Sequence, residues 1–353
     1  MDKSKQDVII IGGGLSGLTL AFLLKQQGIR AKVLESRARL GGRIFTTKTN
    51  DMAPIELGAT WCNRSHTALL SLLKALKVGT FEQRMDSKVF YEPFPKSAHQ
   101  LVQVPPNNDP SFRIIGGTTA MIDALSQTLD PSDIFYDTIV TNIKKLKDHI
   151  EIQTNQKVFT TDLVISTLPP NLLTASILFE PALPEELTQV ASKTHTWMSE
   201  SIKIGLRYKQ PFWRENDSSG TIFSSVGPIT EFYDHSNYED KLYALKGFIK
   251  DEYSQVSKAE RLEAIMSQLH KFYGEQAKDY LSYEETVWLD EPFTHKDYQE
   301  TIVPHHNNGH PIYSTAFYDG KFFVAGSETA IHFGGYMEGA VRSAMDVIKR
   351  IGY

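Results

Sequence analysis

Cysteine is almost missing from this chain: Cys62 is the only one in 353 residues. A single thiol excludes an intrachain disulfide and a multi-thiolate metal centre. No apolar stretch reaches the roughly 18 residues of a membrane span, and the run Val8 to Ile11 stops at three glycines, too short for a signal-peptide core. Long basic tracts are missing too. With 37 Lys+Arg against 42 Asp+Glu the net charge is −5, and a chain without clustered cations is poorly suited to nucleic acid or an anionic membrane. Repeats and low-complexity tracts are absent as well. What is left is an ordinary globular chain, expected in the cytoplasm without nucleic-acid or membrane partners, and long enough for about two domains.

What is present begins with Asp7-Val-Ile-Ile-Ile11, a continuous apolar run of the kind buried on both faces of a parallel sheet. Helical spacing follows from Leu15 to Gln27, Gly28 supplies a stop, and Ala31 to Glu35 is a second strand. Between strand and helix stands Gly12-x-Gly14-x-x-Gly17, the setting a dinucleotide fingerprint requires. Gly12 permits the tight turn, Gly14 lets the backbone approach a pyrophosphate, and Gly17 allows close helix packing. The helix start at Leu15 and Ser16 offers N–H groups to phosphate, and Glu35 can accept ribose hydroxyls. This pattern serves NAD and FAD equally.

Further on, helices are expected at 66–77 and from Gly117 to about 129, strands between 135 and 168 with a hairpin near Asn155, and a buried strand at Leu163 to Ile165 stopped by Pro169-Pro170. The Pro105–Pro110 cluster marks an irregular crossing. Residues 171–290 are aromatic-rich strands with one helix at 258–273; the last segment returns to strand (322–325), glycine loop and helix (336–350). The organisation expected is α/β: a Rossmann-like, doubly wound cofactor domain from 1–75, 112–171 and 291–353, with an inserted α+β substrate domain, 76–111 and 172–290, on a mainly antiparallel sheet.

Several blocks resemble the flavin-containing amine oxidase family, which includes monoamine and polyamine oxidases. They are Glu35-Ser-Arg37-Ala-Arg39-Leu-Gly41-Gly42-Arg43, Glu56-Leu-Gly58-Ala59-Thr60-Trp61, Thr167-Leu-Pro-Pro170, Ala325-Gly326-Ser-Glu328-Thr329-Ala330 and Gly335-Tyr336-Met337-Glu338-Gly339-Ala340. The resemblance implies FAD, with the arginine-rich turn at the pyrophosphate, Gly58 to Thr60 passing the flavin ring, and Val140 meeting the adenine. It implies that the helix from Met337 points its N-terminus at the flavin pyrimidine, stabilising negative charge there. Tyr298 and Tyr336 would form an aromatic sandwich for the amine, and Lys203 would hold a water beside flavin N5. Asp297 stands where monoamine oxidases carry the cysteine bonded to flavin, so FAD is expected to be non-covalent.

The residues alone say less about two of these groups. Alternation along Ser201 to Tyr208 puts Lys203 on the polar, solvated face, and fifteen tyrosines make ordinary packing a competitor for Tyr298. Cys62 reads as a small buried hydrophobe. His295, His305, His306 and His310 lack a ligand order, so no metal is expected and they read as a polar loop at the domain junction. Only some forty residues lie between the Gly58 segment with its helix and Gly116-Gly117, shorter than the family's usual cover, which points to an open site for a larger or partner-borne amine, or one closed by a second copy in a homodimer. The expected activity is FAD-dependent oxidation of a small-molecule amine C–N bond to an imine, with O2 reduced to H2O2; a related desaturase or porphyrinogen-type oxidase and a non-catalytic flavin protein stay open as alternatives.

Overall fold

The strand Val8–Ile11 sits inside a five-stranded parallel sheet ordered Phe322–Val324, Leu163–Ser166, Val8–Ile11, Ala31–Leu34, Ile134–Phe135. The structure is a computed structural model describing residues 7–49, 51–85, 88–95, 98–105 and 108–352; part of the Pro105–Pro110 cluster therefore lies outside the described residues. Val8 and Ile10 pack against α1 (Leu15–Gln26) and α7 (Met337–Arg350), the first and last of the helices named here. Ile9 and Ile11 face the other way, onto a four-stranded sheet of Val158–Thr161, Ile150–Thr154, Val140–Lys145 and Leu178–Glu180. Both faces are covered, which is why every position of this strand is apolar.

The sheet gathers strands from the start, middle and end of the chain, and their carboxyl ends bring three segments together. Gly12 has φ +105°, and a Cβ there would lie 2.6 Å from Thr167 Oγ1. A Cβ on Gly17 would lie 2.0 Å from the Gly12 carbonyl, so the helix can approach its strand only through glycine. Gly326 closes the cluster against the Thr167 carbonyl.

Between these segments lie α2 (Thr67–Ala75), α3 (Thr119–Gln127), α4 (Pro170–Ser176), α5 (Glu185–Ser192) and α6 (Lys258–Tyr273). Two of them correct the expectation of one helix after residue 171. Pro169-Pro170 does stop a strand, but Pro170 also opens α4, where its missing N–H leaves no hydrogen bond unmade. Leu187 of α5 joins the same apolar cluster as Ile9.

The second large sheet has seven strands, ordered Tyr280–Val287, Ile202–Tyr208, Tyr243–Ile249, Ile229–Asp234, Ser218–Ser224, Lys88–Glu92, Gln100–Gln103, and all pairs but one are antiparallel. Ile202, Ile204 and Leu206 pack with Ile265 and Leu269 of α6. The opposite, polar face is not solvated as alternation implied. The hairpin Thr46–Thr49/Met52–Glu56 lies over it so closely that a Cβ on Gly205 would be 2.3 Å from Ile55, and all seven residues of Ile202–Tyr208 are buried. Arg207 is satisfied there by the Ala53 carbonyl at 2.6 Å and by Thr47 and Ser282. Lys203 is carried into the interior by the same packing.

Candidate active site

A cavity of about 610 Å³ runs from the glycine turn at 12–17, past Gly41 to Arg43, to Thr60, Lys203 and Tyr336. At its first end α1 begins at Gly14 with no side-chain cap and no acidic residue in its first turn, leaving N–H groups of Leu15 and Ser16 for an anion. A Cβ on Gly14 would meet nothing closer than 3.9 Å, so this position opens onto the cavity. Glu35 is 3% exposed; its Oε2 accepts the Gly13 N–H at 2.7 Å and its Oε1 the Arg37 N–H at 2.9 Å. Those two bonds, with the Ser36 hydroxyl donating to Oε1 at 3.3 Å, fix a carboxylate that lines the cavity.

The arginine turn is braced rather than free. Arg37 pairs with Glu291 at 3.1 Å and donates to Thr294, while Arg39 donates to the Leu40, Gly42 and Ile44 carbonyls. Arg43 pairs with Glu328 at 2.6 Å and donates to Ser327 and the Trp197 carbonyl. Glu328 is fully buried, and the Arg43 guanidinium helps hold its carboxyl below the ordinary range against the opposing effect of burial. It supports the site through Arg43 and does not itself line the cavity.

At the far end the Gly58 segment passes close to its neighbours: a Cβ on Gly58 would lie 2.2 Å from the Arg43 carbonyl. Ala59, Thr60 and Trp61 line the cavity. Lys203 also lines it, 6% exposed, with Nζ donating to the Gly58 carbonyl at 2.9 Å and standing 5.3 Å from the Phe248 ring centre. Burial, then the Arg43 charge, bring its pKa down to about 7 despite Glu56. Met337 starts α7 at the cavity with no side-chain cap. The one acid of its first turn, Glu338, accepts instead from the Ala68 and Leu69 N–H groups of α2, so the N-terminus of α7 keeps its positive end for the cavity.

The structure does not bring Tyr298 to Tyr336. The Tyr298 hydroxyl accepts from the Thr196 N–H at 2.8 Å and donates to the Thr194 carbonyl at 3.1 Å, and its ring stacks on His195, outside the cavity lining. Two backbone groups that need partners hold it there. Tyr336 instead faces Trp197, ring centres 5.7 Å apart, with His305 stacked on both at 5.6 and 4.1 Å. Val140 likewise does not line the cavity; it begins the strand Val140–Lys145 and its side chain packs in a core cluster with Leu34. Gly17 and Gly58 act through packing rather than by facing the cavity.

Alternation and composition missed Trp197, Phe248 and Lys246. Lys246 is the clearest omission, and it had a sequence signal: Ala244-Leu-Lys-Gly-Phe-Ile249, like Ile202-Lys-Ile-Gly-Leu206, sets a lysine inside an otherwise apolar strand. Cys62 does reach the cavity wall, but burial pushes its thiol up to about 11, which keeps it protonated.

The donor set fits FAD: an acid held for ribose hydroxyls, two uncapped helix N-termini on the cavity for the anionic parts, and glycines that leave the wall open. Residues 15–100 and 95–351 match the family of flavin containing amine oxidoreductases. The chain is similar to amine oxidase [flavin-containing] B of Canis lupus familiaris, 25% identical over 99% of this chain and 87% of that protein. That alignment runs over 460 positions, so the relative carries segments this chain lacks. Its fold is similar to wild-type putrescine oxidase bound to putrescine (TM-score 0.85, 22% identity, 98% of each chain) and to cyclohexylamine oxidase from Brevibacterium oxydans IH-35A (TM-score 0.85, 20% identity, 98% of each chain). This chain belongs to the flavin containing amine oxidoreductases, enzymes that use FAD to oxidise amine CH–NH bonds.

Proposed function

We propose that the protein is an amine oxidase that holds FAD without a covalent bond and oxidises an amine with an aromatic or aliphatic body and no second cationic end, with O2 as the acceptor. The lining of the cavity carries this reading. Beyond the nucleotide cradle the lining carries Lys203 with Trp61, His66, Trp197, Phe248, Phe333 and Tyr336, and among the described residues its one acid is Glu35, which lies at the glycine turn. Among the described residues no carboxylate lines the cavity beyond the cradle to pair a distal ammonium, whereas apolar walls and ring faces suit a monoamine.

FAD supplies the hydride acceptor. The chain's part is to hold and orient: Gly12, Gly14, Leu15, Ser16 and Glu35 hold the nucleotide, with Arg37, Gly42, Arg43 and Gly326 along its length. Ala59, Thr60 and Met337 frame the ring, and the open N-terminus of α7 favours negative charge beside it. Lys203, near neutrality in its titration, positions a water or takes a proton at Nζ, and Tyr336 with Trp197 orients the amine. Free Cys62, protonated at neutral pH, supports the non-covalent reading.

The division into a cofactor domain and a substrate domain belongs to this proposal, supported by the separate cores of the parallel and seven-stranded sheets. So do a cytoplasmic location and a homodimer; Tyr336 at 40% and Ile331 at 73% exposed leave an apolar rim that a second copy could cover. No described helix is long and apolar enough to cross a membrane.

The test is the anaerobic visible spectrum of the FAD-loaded protein during titration with benzylamine, cyclohexylamine, putrescine and spermidine. Bleaching by the first two alone is expected. Bleaching by the diamine or polyamine alone overturns the substrate class, and no bleaching by any amine overturns the oxidase reading.

A further inference from the structure

Lys246 does not line the cavity, yet it is wholly buried directly behind the lining residues Thr60, Trp61 and Phe248. On its strand Lys246 lies opposite Gly205 and Phe248 opposite Lys203, so both lysines rise from the same face of the sheet. Their polar contacts join. Lys246 Nζ donates to Thr60 Oγ1 at 3.0 Å, Thr60 Oγ1 donates to the Gly58 carbonyl at 3.2 Å, and Lys203 Nζ donates to that same carbonyl. Lys246 Nζ is also 4.1 Å from the Trp61 ring centre and 4.2 Å from that of Phe248, the ring Lys203 approaches from its own side.

Charge counting makes this arrangement consequential. The fully buried acid of this floor is Glu56, and it is already shared: His235 Nε2 contacts it, and Arg113 Nε stands 4.0 Å away. Arg113 keeps its charge at any accessible pH. Glu231, the other acid felt by Lys246, accepts the Tyr233 hydroxyl at 2.7 Å, a neutral donor that does not balance its charge. Arg43, paired with Glu328, faces Lys203, Arg113 stands against Glu56, and His235 is kept neutral by burial, so of these acids only Glu231 is left over for two ammonium groups.

We infer that Lys203 and Lys246 form one coupled acid–base pair, joined through Thr60 and the Gly58 carbonyl, that carries a single proton between two amines. A proton on either nitrogen disfavours one on the other, and burial disfavours both. The pair therefore presents at most one charge at neutral pH. When a cation enters the cavity, the Lys203 N–H bond that faces it breaks and one forms at Lys246, behind Trp61 and Phe248, with no net change in the pair's charge. The inference deepens the proposed role of Lys203 and rests on that reading for its use, but its test needs no substrate.

The measurement is a pH titration by NMR of the FAD-loaded full chain labelled with ε-13C lysine, in wild type, Lys246→Met and Lys203→Met. In the wild type the two buried signals are expected to titrate at separate pH values, both below the exposed lysines near pH ~10.4. Whichever lysine takes its proton second moves up by at least about one pH unit, a tenfold gain in proton affinity, when the other becomes methionine. A buried lysine that titrates with the exposed ones overturns the inference from the wild type alone, even if neither variant folds. Unchanged titration of the remaining lysine in both variants also overturns it. If coupling is seen but no amine bleaches the flavin, the pair stands and the oxidase reading falls.

Discussion

Arg43 and Glu328 meet across the cavity wall, Nη1 to Oε1 at 2.6 Å, and tie the first third of the chain to its last strand end. The glutamate is fully buried and the arginine side chain 26% exposed. Glu328→Gln keeps the shape and removes the charge. Because Arg43 retains some solvent, the expected loss is about 1–3 kcal/mol, below that for breaking a fully buried pair. Urea unfolding should show a lower midpoint with an unchanged slope, and equilibrium dialysis should show FAD held roughly tenfold more weakly.

Lys203→Met should fold and stay yellow, since it removes a buried amine that is neutral over part of the working range. The rate of anaerobic flavin reduction by a competent amine is expected to fall about 10²-fold, the scale of one acid–base group. A stopped-flow trace with an unchanged rate would remove Lys203 from the reaction.

Stability should rise with pH in two separate windows. His235 has its pKa lowered to about 4 by burial, so between pH 4 and 6.5 the unfolded chain binds more protons than the native one and stability climbs with pH. Lys203, lowered to about 7 from 10.5, does the same between pH 7 and 10.5. Urea midpoints measured from pH 4 to 10 should therefore increase across both ranges, and Lys203→Met should make the upper rise shallower, with Lys246, also lowered by burial, keeping the rest of it. A midpoint that declines from pH 7 to 9 would contradict the buried, unpaired placement of this amine.

Tyr298 and Tyr336 should respond differently. Tyr298→Phe removes a hydroxyl bonded to two backbone groups and should cost about 1 kcal/mol of stability, with kcat and KM nearly unchanged. Tyr336→Ala removes a cavity wall and should raise KM several-fold with little effect on the melting temperature, because this ring is 40% exposed. Steady-state kinetics beside thermal melts separates the two; a collapse of kcat in Tyr298→Phe would restore the sandwich.

The nucleotide end was legible because its residues are constrained locally. Gly12 needs a positive φ, Gly17 must clear the Gly12 carbonyl, and Glu35 follows its strand by one position, so spacing along the chain carries the geometry. Lys203 shows where locality stops. Alternation assigned it correctly to the polar face of its strand, but whether that face meets water depended on a hairpin more than 140 residues earlier folding over Gly205. The same packing buried Lys246 unannounced.

Sequence by itself therefore determined the strand–turn–helix cradle, the βαβ order and, through resemblance, the family. Only the tertiary structure decided that Tyr298 turns away to satisfy Thr194 and Thr196, that Trp197 takes its place beside Tyr336, and that two buried lysines meet through Thr60 and the Gly58 carbonyl with fewer carboxylates than ammonium groups. The physical reason is the same in each case. Turn geometry and periodicity are properties of neighbouring residues, whereas burial, hydrogen-bond partners and the balance of charge are set by segments that meet only in the folded chain.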